Sequence, residues 1–319
     1  MIFVAALLAG CGTGTGGGTT ESTAGSPEGF PLTVDNCGVR TTYQHPPQRA
    51  VTMNQNPTEI MLALGLEDRM IGTAYADHEI LPKYREAYQQ VPVLAEEYPS
   101  YEKLLAENPD FVYGGMSTAF DEQQGRSRDR LHDTGIDTYL NPGWCEDVPN
   151  TMQKLVWDQL RTVGRIFGVP ERADDLVGKL RSQVSNVRSA LEDVEPRSVF
   201  VYDSGTKAPH TAGGDGMANT IIELAGGKNI FADLSAEFGG VSWEQVIKRQ
   251  PDTILIMDYG DESAAQKKEF LLNKPELANV PAIKHEQFAV LPLNDVFASV
   301  RAPRTVVDLA HQLHEEQFQ

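Results

Sequence analysis

The chain has 319 residues and a formal net charge of -18, with 23% charged and 40% hydrophobic residues. That acidity argues against a nucleic-acid partner, because contact with phosphates needs clustered Lys and Arg. Beyond the first few residues no apolar run approaches the about 20 residues of a membrane-spanning helix, so the body is expected to be soluble.

At the start, an apolar run from Ile2 to Leu8 leads into Leu8-Ala9-Gly10-Cys11, small residues ending in cysteine. This resembles a bacterial lipobox, so residues 1–11 are expected to be the remnant of a signal peptide with Cys11 as the lipidated residue and the membrane as its partner. Residues 12–30 follow as a flexible tether dominated by Gly, Thr and Ser. The tether contains Gly12-x-Gly14-x-x-Gly17, but no strand enters it and no helix leaves it, so it is not a dinucleotide site. Cys37 and Cys145 are the two remaining cysteines. An exported chain permits a disulfide between them, stapling the first half internally.

Roughly 290 residues follow the tether, enough for two lobes of ordinary domain size. A repeated pattern supports that division. Ser100-Tyr101-Glu102-Lys103-Leu104-Leu105-Ala106-Glu107-Asn108-Pro109-Asp110 aligns without gaps on Ser242-Trp243-Glu244-Gln245-Val246-Ile247-Lys248-Arg249-Gln250-Pro251-Asp252. Each copy reads as a Ser N-cap, an aromatic, a Glu in the first helical turn, an apolar pair, then Pro-Asp and a buried strand. A looser echo sets Thr58–Gly65 against Thr220–Gly227, two amphipathic helices stopped by glycine. Strands are expected at Ala50–Met53, Met70–Thr73, Phe111–Tyr113, Thr138–Leu140, Ser198–Tyr202, Thr253–Met257 and Gln287–Leu291. Strand alternating with helix implies an α/β fold: two Rossmann-like lobes with mostly parallel sheets, at 31–168 and 196–319. Between them, residues 169–195 predict one long linking helix from Pro170, with Leu176, Leu180, Val184, Val187 and Leu191 at helical spacing. A helical strut predicts modest closure between the lobes.

Ligands of open parallel sheets bind beyond the carboxyl ends of the strands, which here face a cleft between the lobes. Read off that way, the ligand-binding candidates are Asn56, Tyr75, Tyr98, Met116 and Phe120 in the first half. In the second half they are Tyr202, Asp203, His210, Trp243, Tyr259 and Arg301. Aromatics supply area and Arg a planar donor fork, which suits a large ligand with flat apolar parts and peripheral oxygens. Arg301, after the last strand, is expected to face a ligand acid or ligand oxygens across the cleft.

These motifs, with Arg49-Ala50-Val51, Gly213-Gly214, Leu224–Asn229 and Arg301-Ala302-Pro303, resemble the helical-backbone periplasmic binding proteins of ABC importers for ferric siderophores, haem and vitamin B12. The resemblance runs from about Pro31 to Gln319. It implies capture of an iron chelate, a ferric siderophore ahead of haem or a corrinoid, and delivery to an ABC permease with its ATPase by a monomeric carrier. It also implies that Glu102 and Glu244, at the lobe tips, dock onto permease arginines; a carboxylate in a helix's first turn is favoured there by the helix dipole and stays exposed. No resident cofactor is expected. No nucleophile elbow, Walker loop, HExxH or CxxC pattern occurs, so enzymatic activity is not expected. His210 is the histidine placed at a strand end; His311 and His314, near the polar tail, are expected to be solvated. The alternative is a Zn or Mn carrier, whose site needs three or four converging His and carboxylate ligands.

Overall fold

The computed structural model describes residue 1 and residues 27–76 and 79–318. Cys11 and most of the tether lie outside the described residues. The hairpin β1 (Leu32–Asn36) and β2 (Val39–Tyr43) comes first, antiparallel. Then come β3 (Ala50–Met53), α1 (Gln55–Ala63), β4 (Met70–Ala74), α2 (Arg85–Tyr88), β5 (Val93–Ala95), α3 (Tyr101–Ala106), β6 (Phe111–Gly114), α4 (Arg128–Asp133) and β7 (Asp137–Leu140). Their strands form one parallel sheet in the order β5-β4-β3-β6-β7. After α5 (Asp158–Ile166) and the long α6 (Pro170–Ala190), the second lobe runs β8 (Arg197–Tyr202), β9 (His210–Ala212), α7 (Met217–Leu224), β10 (Gly227–Asn229), β11 (Phe238–Gly240) and α8 (Trp243–Arg249). It ends with β12 (Thr253–Asp258), α9 (Ala264–Leu272), α10 (Pro281–Lys284), β13 (Phe288–Pro292) and α11 (Ala302–Leu313). Its parallel sheet has the order β10-β8-β12-β13, and β9 pairs with β11 separately.

The repeated sequence pattern is repeated geometry. Ser100 caps α3 by accepting from the Lys103 N–H, and Ser242 caps α8 by accepting from the Gln245 N–H. Both helices end in a left-handed residue at the same point of the pattern, Asn108 (φ 53) and Gln250 (φ 47). The following carboxylates then do the same work. Asp110 accepts from the backbone N–H groups of Gln48 and Arg49 (2.8 and 2.9 Å), just ahead of β3, and Asp252 accepts from the N–H of Ser198 (3.0 Å) in β8. In each sheet the strand after the Ser-capped helix, β6 or β12, lies beside the lobe's first strand, β3 or β8. Local caps and turns therefore set the register between the two central strands of each sheet.

Helix α6 starts at Pro170, whose missing N–H costs nothing in a first turn. It buries Ala173, Val177, Leu180, Val184 and Val187, one face at helical spacing, against α5 of the first lobe and α11 of the second. Each fully buried Val or Leu contributes about 1.5–3 kcal/mol, so the strut is held to both lobes by packing. The disulfide Cys37–Cys145 is present, with a Cα–Cα distance of 4.7 Å. It ties the β1–β2 turn to the segment after β7. Beside it, the Asn36 side chain donates to the Leu140 carbonyl (2.8 Å) and accepts from its N–H (2.7 Å), closing the sheet edge at β7.

His314 departs from expectation. It is fully buried, with Nε2 donating to the Gly226 carbonyl at 2.9 Å, because α11 folds back onto the turn after α7. His311 stays exposed and stacks on Phe318 at 4.3 Å.

Candidate ligand-binding cleft

At the end of β3 the chain turns straight into α1 at Asn54, whose φ of 81 and ψ of 163 fall in a region otherwise kept for glycine. Asn54 is buried; its Oδ1 accepts the Tyr98 hydroxyl at 3.0 Å, and its Nδ2 has no partner among the described residues. No side chain caps the first turn of α1. The loop after β6 presses against this corner. The Gly115 N–H donates to the Met53 carbonyl (2.9 Å), and a Cβ at Gly115 would stand 2.1 Å from Asn56 Oδ1 and 2.7 Å from Asn54 Cβ. Tyr75, itself at φ 55 after β4, sets its ring edge-on to Tyr98 at 4.7 Å, and Tyr98 also shares a hydrogen bond with Thr118 at 3.0 Å. Phe120 packs over Gly114, where a Cβ would lie 2.6 Å from its ring. Asn56, Tyr75, Tyr98 and Met116 are thus gathered around Asn54, with Phe120 alongside.

In the second lobe, at the ends of β8 and β12, the buried Asp203 carboxylate organises another cluster. Its Oδ2 accepts from the Tyr259 hydroxyl (2.9 Å) and from the Ser204 hydroxyl (2.9 Å) and lies 3.3 Å from Nδ1 of the half-exposed His210. An Nδ1–H donated to Asp203 leaves Nε2 with its lone pair, the usual way a carboxylate fixes an imidazole tautomer. Beneath them Lys267 is buried and donates to the carbonyls of Asp203 and Met257, both at 2.7 Å. Burial pulls its ammonium below the ordinary lysine pKa. Burial likewise raises the Tyr259 phenol, which stays a donor. Nothing in the sequence pattern marked Lys267; a lone Lys on the inner face of α9 looks like any solvated residue.

Between the lobes lies a small pocket of about 10 Å³, lined from the first lobe by Asn54, Gln55, Asn56, Glu59 and Met116 and from the second by Asn294, Phe297, Ser299 and Arg301. Here the expectation for Arg301 is corrected. Its guanidinium is buried and occupied: Nε and Nη2 donate to the two Glu59 oxygens (both 2.6 Å), Nη1 to Asp295 (2.8 Å) and Nη2 also to the Glu79 carbonyl (2.8 Å). Burial opposes the charge, but the bonds to Glu59 and Asp295 outweigh it and hold the guanidinium above its usual pKa. Arg301 therefore joins the lobes across the cleft floor instead of offering a free fork. Glu59, buried in α1, is the residue missed; a carboxylate directly before the apolar run Ile60-Met61-Leu62 was the available signal. Further bonds cross nearby, from Asn294 to the Gln55 side chain (3.1 Å) and from Asn141 to the Ala298 carbonyl (2.7 Å).

Tyr202 and Trp243 are also corrected. Both are buried in the second lobe's aromatic core with Phe200 and Phe270, and the Trp243 Nε1–H donates to the Thr206 carbonyl at 3.1 Å. Side chains alternate along a strand, so Tyr202 packs into the core one residue before Asp203 reaches the cleft. Glu102 and Glu244 are exposed in the first turns of α3 and α8. The hydrogen bond with Ser242 holds the Glu244 carboxyl below its ordinary pKa. Among the described residues no helix is long and apolar enough to cross a membrane, and no group of three or more His, Cys, Asp and Glu is placed to hold a metal ion.

Comparison with known proteins places these features. The periplasmic binding protein family profile matches residues 51–294. Over all of this chain and 96% of its own length, an uncharacterized ABC transporter substrate-binding lipoprotein, YvrC of Bacillus subtilis, is 24% identical. Among solved structures, a periplasmic binding protein of Veillonella parvula is 30% identical with a TM-score of 0.81, covering 89% of this chain and 97% of its own. An ABC-type Fe3+-hydroxamate transport system protein of Saccharomonospora viridis is 28% identical with a TM-score of 0.72, covering 91% and 99%.

Proposed function

The chain belongs to the periplasmic binding protein family, and from that premise we propose that this ABC importer substrate-binding protein carries a ferric chelate, a ferric siderophore ahead of haem or a corrinoid. Members of the family are transport proteins that work with a permease and its ATPase, not enzymes. What supports the reading is the make-up of the cleft. One wall offers the flat rings of Tyr75, Tyr98 and Phe120; the other offers the His210 imidazole and Tyr259 phenol organised on Asp203. Rings give contact area to a bulky, partly flat cargo, and the polar wall addresses oxygens at its edge. A naked Zn or Mn ion would need ligands converging from both lobes; Asp203, His210 and Tyr259 all belong to one. The Fe3+-hydroxamate neighbour favours the hydroxamate class of chelate.

In this reading Glu102 and Glu244 meet the permease, and Cys11 carries the lipid that keeps the carrier near it. Equilibrium dialysis tests the cargo. Sub-micromolar binding of a ferric trihydroxamate, without turnover and with no comparable uptake of Zn or Mn salts, is expected. Tight binding of either bare ion with no affinity for ferric chelates overturns the reading.

A further inference from the structure

We propose that the floor of the cleft receives a neutral carbonyl oxygen of the cargo, as in an amide, and discriminates against a carboxylate. The inference deepens the ferric-chelate reading and rests on it for the first choice of probe.

Three observations carry it. First, the positive charge at the floor is already answered: the Arg301 guanidinium faces two carboxylates, Glu59 and Asp295, within hydrogen-bonding distance. A ligand carboxylate would be a third anion around a single cation, in a buried place where like charges repel strongly. Second, a neutral donor is left over. Asn54 Nδ2 is buried without a partner among the described residues, in a residue that lines the pocket, while its Oδ1 is taken by Tyr98. An orphaned buried amide N–H is costly, and a ligand carbonyl removes that cost on binding. The adjoining N-terminus of α1 is uncapped by any side chain, so its partial positive charge adds to the attraction for an acceptor oxygen. Third, the pocket has about 10 Å³ of room, close to what one water-sized group fills. It admits a single oxygen of the cargo, not a whole chelate, so it acts as a specificity notch.

The Asn54 backbone fits the same account: a non-glycine residue held at φ 81 and ψ 163 is retained at a cost that glycine would avoid. The side chain must therefore return something, and among the described residues only its Oδ1 has a partner.

The test titrates tryptophan fluorescence with three probes: ferrioxamine E, whose carbonyls not bound to iron are amides; ferric dicitrate, with carboxylates and no amides; and cyanocobalamin, rich in amides. Wild-type protein is expected to bind ferrioxamine E in preference to ferric dicitrate. Asn54→Asp keeps an acceptor for Tyr98 but replaces the donor, and Asn54→Gly deletes the side chain while relaxing the backbone. Both should weaken ferrioxamine E binding by about tenfold or more, with the thermal midpoint of Asn54→Gly no lower than wild type. Ferrioxamine E affinity within twofold of wild type in Asn54→Gly, or a wild-type preference for ferric dicitrate, overturns the proposal. If no ferric chelate binds but cyanocobalamin does, the ferric reading has failed while the notch stands, provided Asn54→Gly weakens cyanocobalamin by the same factor. Binding of none of the three overturns both.

Discussion

Glu59→Gln is expected to loosen the lobes from one another. Glu59 is fully buried, and its two oxygens take the Nε and Nη2 donors of Arg301 at 2.6 Å as well as the Leu81 N–H at 2.8 Å. Removing one member of a buried pair costs about 3–5 kcal/mol, because the other charge is left buried and unpaired. Here Arg301 keeps Asp295 and the Glu79 carbonyl, and glutamine keeps one acceptor, so a loss of about 2–3 kcal/mol is expected. Urea unfolding followed by tryptophan fluorescence and by far-UV circular dichroism measures it, with coincident curves justifying a single free energy. A double-mutant cycle with Arg301→Gln isolates the pair, and a coupling of at least about 1 kcal/mol is expected. Coupling below about 0.5 kcal/mol would show that the ion pair does not hold the lobes and would refute the account of Arg301. Arg301→Lys should rescue little, since one ammonium cannot serve Glu59, Asp295 and the Glu79 carbonyl together.

Replacing Cys37 and Cys145 by serine opens a link between residues 108 apart and should cost about 2–5 kcal/mol in chemical denaturation, with reductant reproducing the loss in the wild type. Gly115→Ala drives a methyl into Asn56 and Asn54, so it should lower stability by about 1–3 kcal/mol and weaken cargo binding in the same titrations; unchanged affinity would place the cargo elsewhere. Burial pushes Tyr84 and Tyr202 up to about 12. Folded pKa values raised above the unfolded 10 mean stability that is whole below pH 10 and lost as pH rises toward 12. The tyrosinate absorbance of these two phenols should accordingly appear together with loss of near-UV circular dichroism. The pair Glu102→Ala and Glu244→Ala should leave cargo affinity unchanged and abolish stimulation of the ATPase in reconstituted importer; a tenfold loss of affinity with stimulation retained would remove both residues from docking.

The cleft was legible in part. Strand ends located Asn56, Tyr75, Met116, Asp203 and Tyr259 because the carboxyl edge of a parallel sheet follows from connectivity. The two aromatics that turned out to be core were also within reach of pattern reasoning. Trp243 shares a buried helix face with Val246, three residues on, as Tyr101 does with Leu104, while Glu244 and Glu102 point outward. Tyr202 stands one position from Asp203, and only the direction of the alternation separates them. Asn54 differs in kind: its significance lies in a backbone angle and an unpaired amide, neither of which leaves a trace in composition or period.

Sequence alone determined the duplicated helix-turn-strand unit, the parallel sheets and the joining helix, because the agents are neighbours along the chain: Ser100 with Lys103, Ser242 with Gln245, a left-handed residue before Pro-Asp, an apolar stripe over three turns and more. Tertiary structure alone decided what Arg301 does. Of its two carboxylate partners, Glu59 lies 242 positions earlier, on the other lobe, and whether a buried charge is free or satisfied depends on which side chains the folded backbone brings within hydrogen-bonding distance.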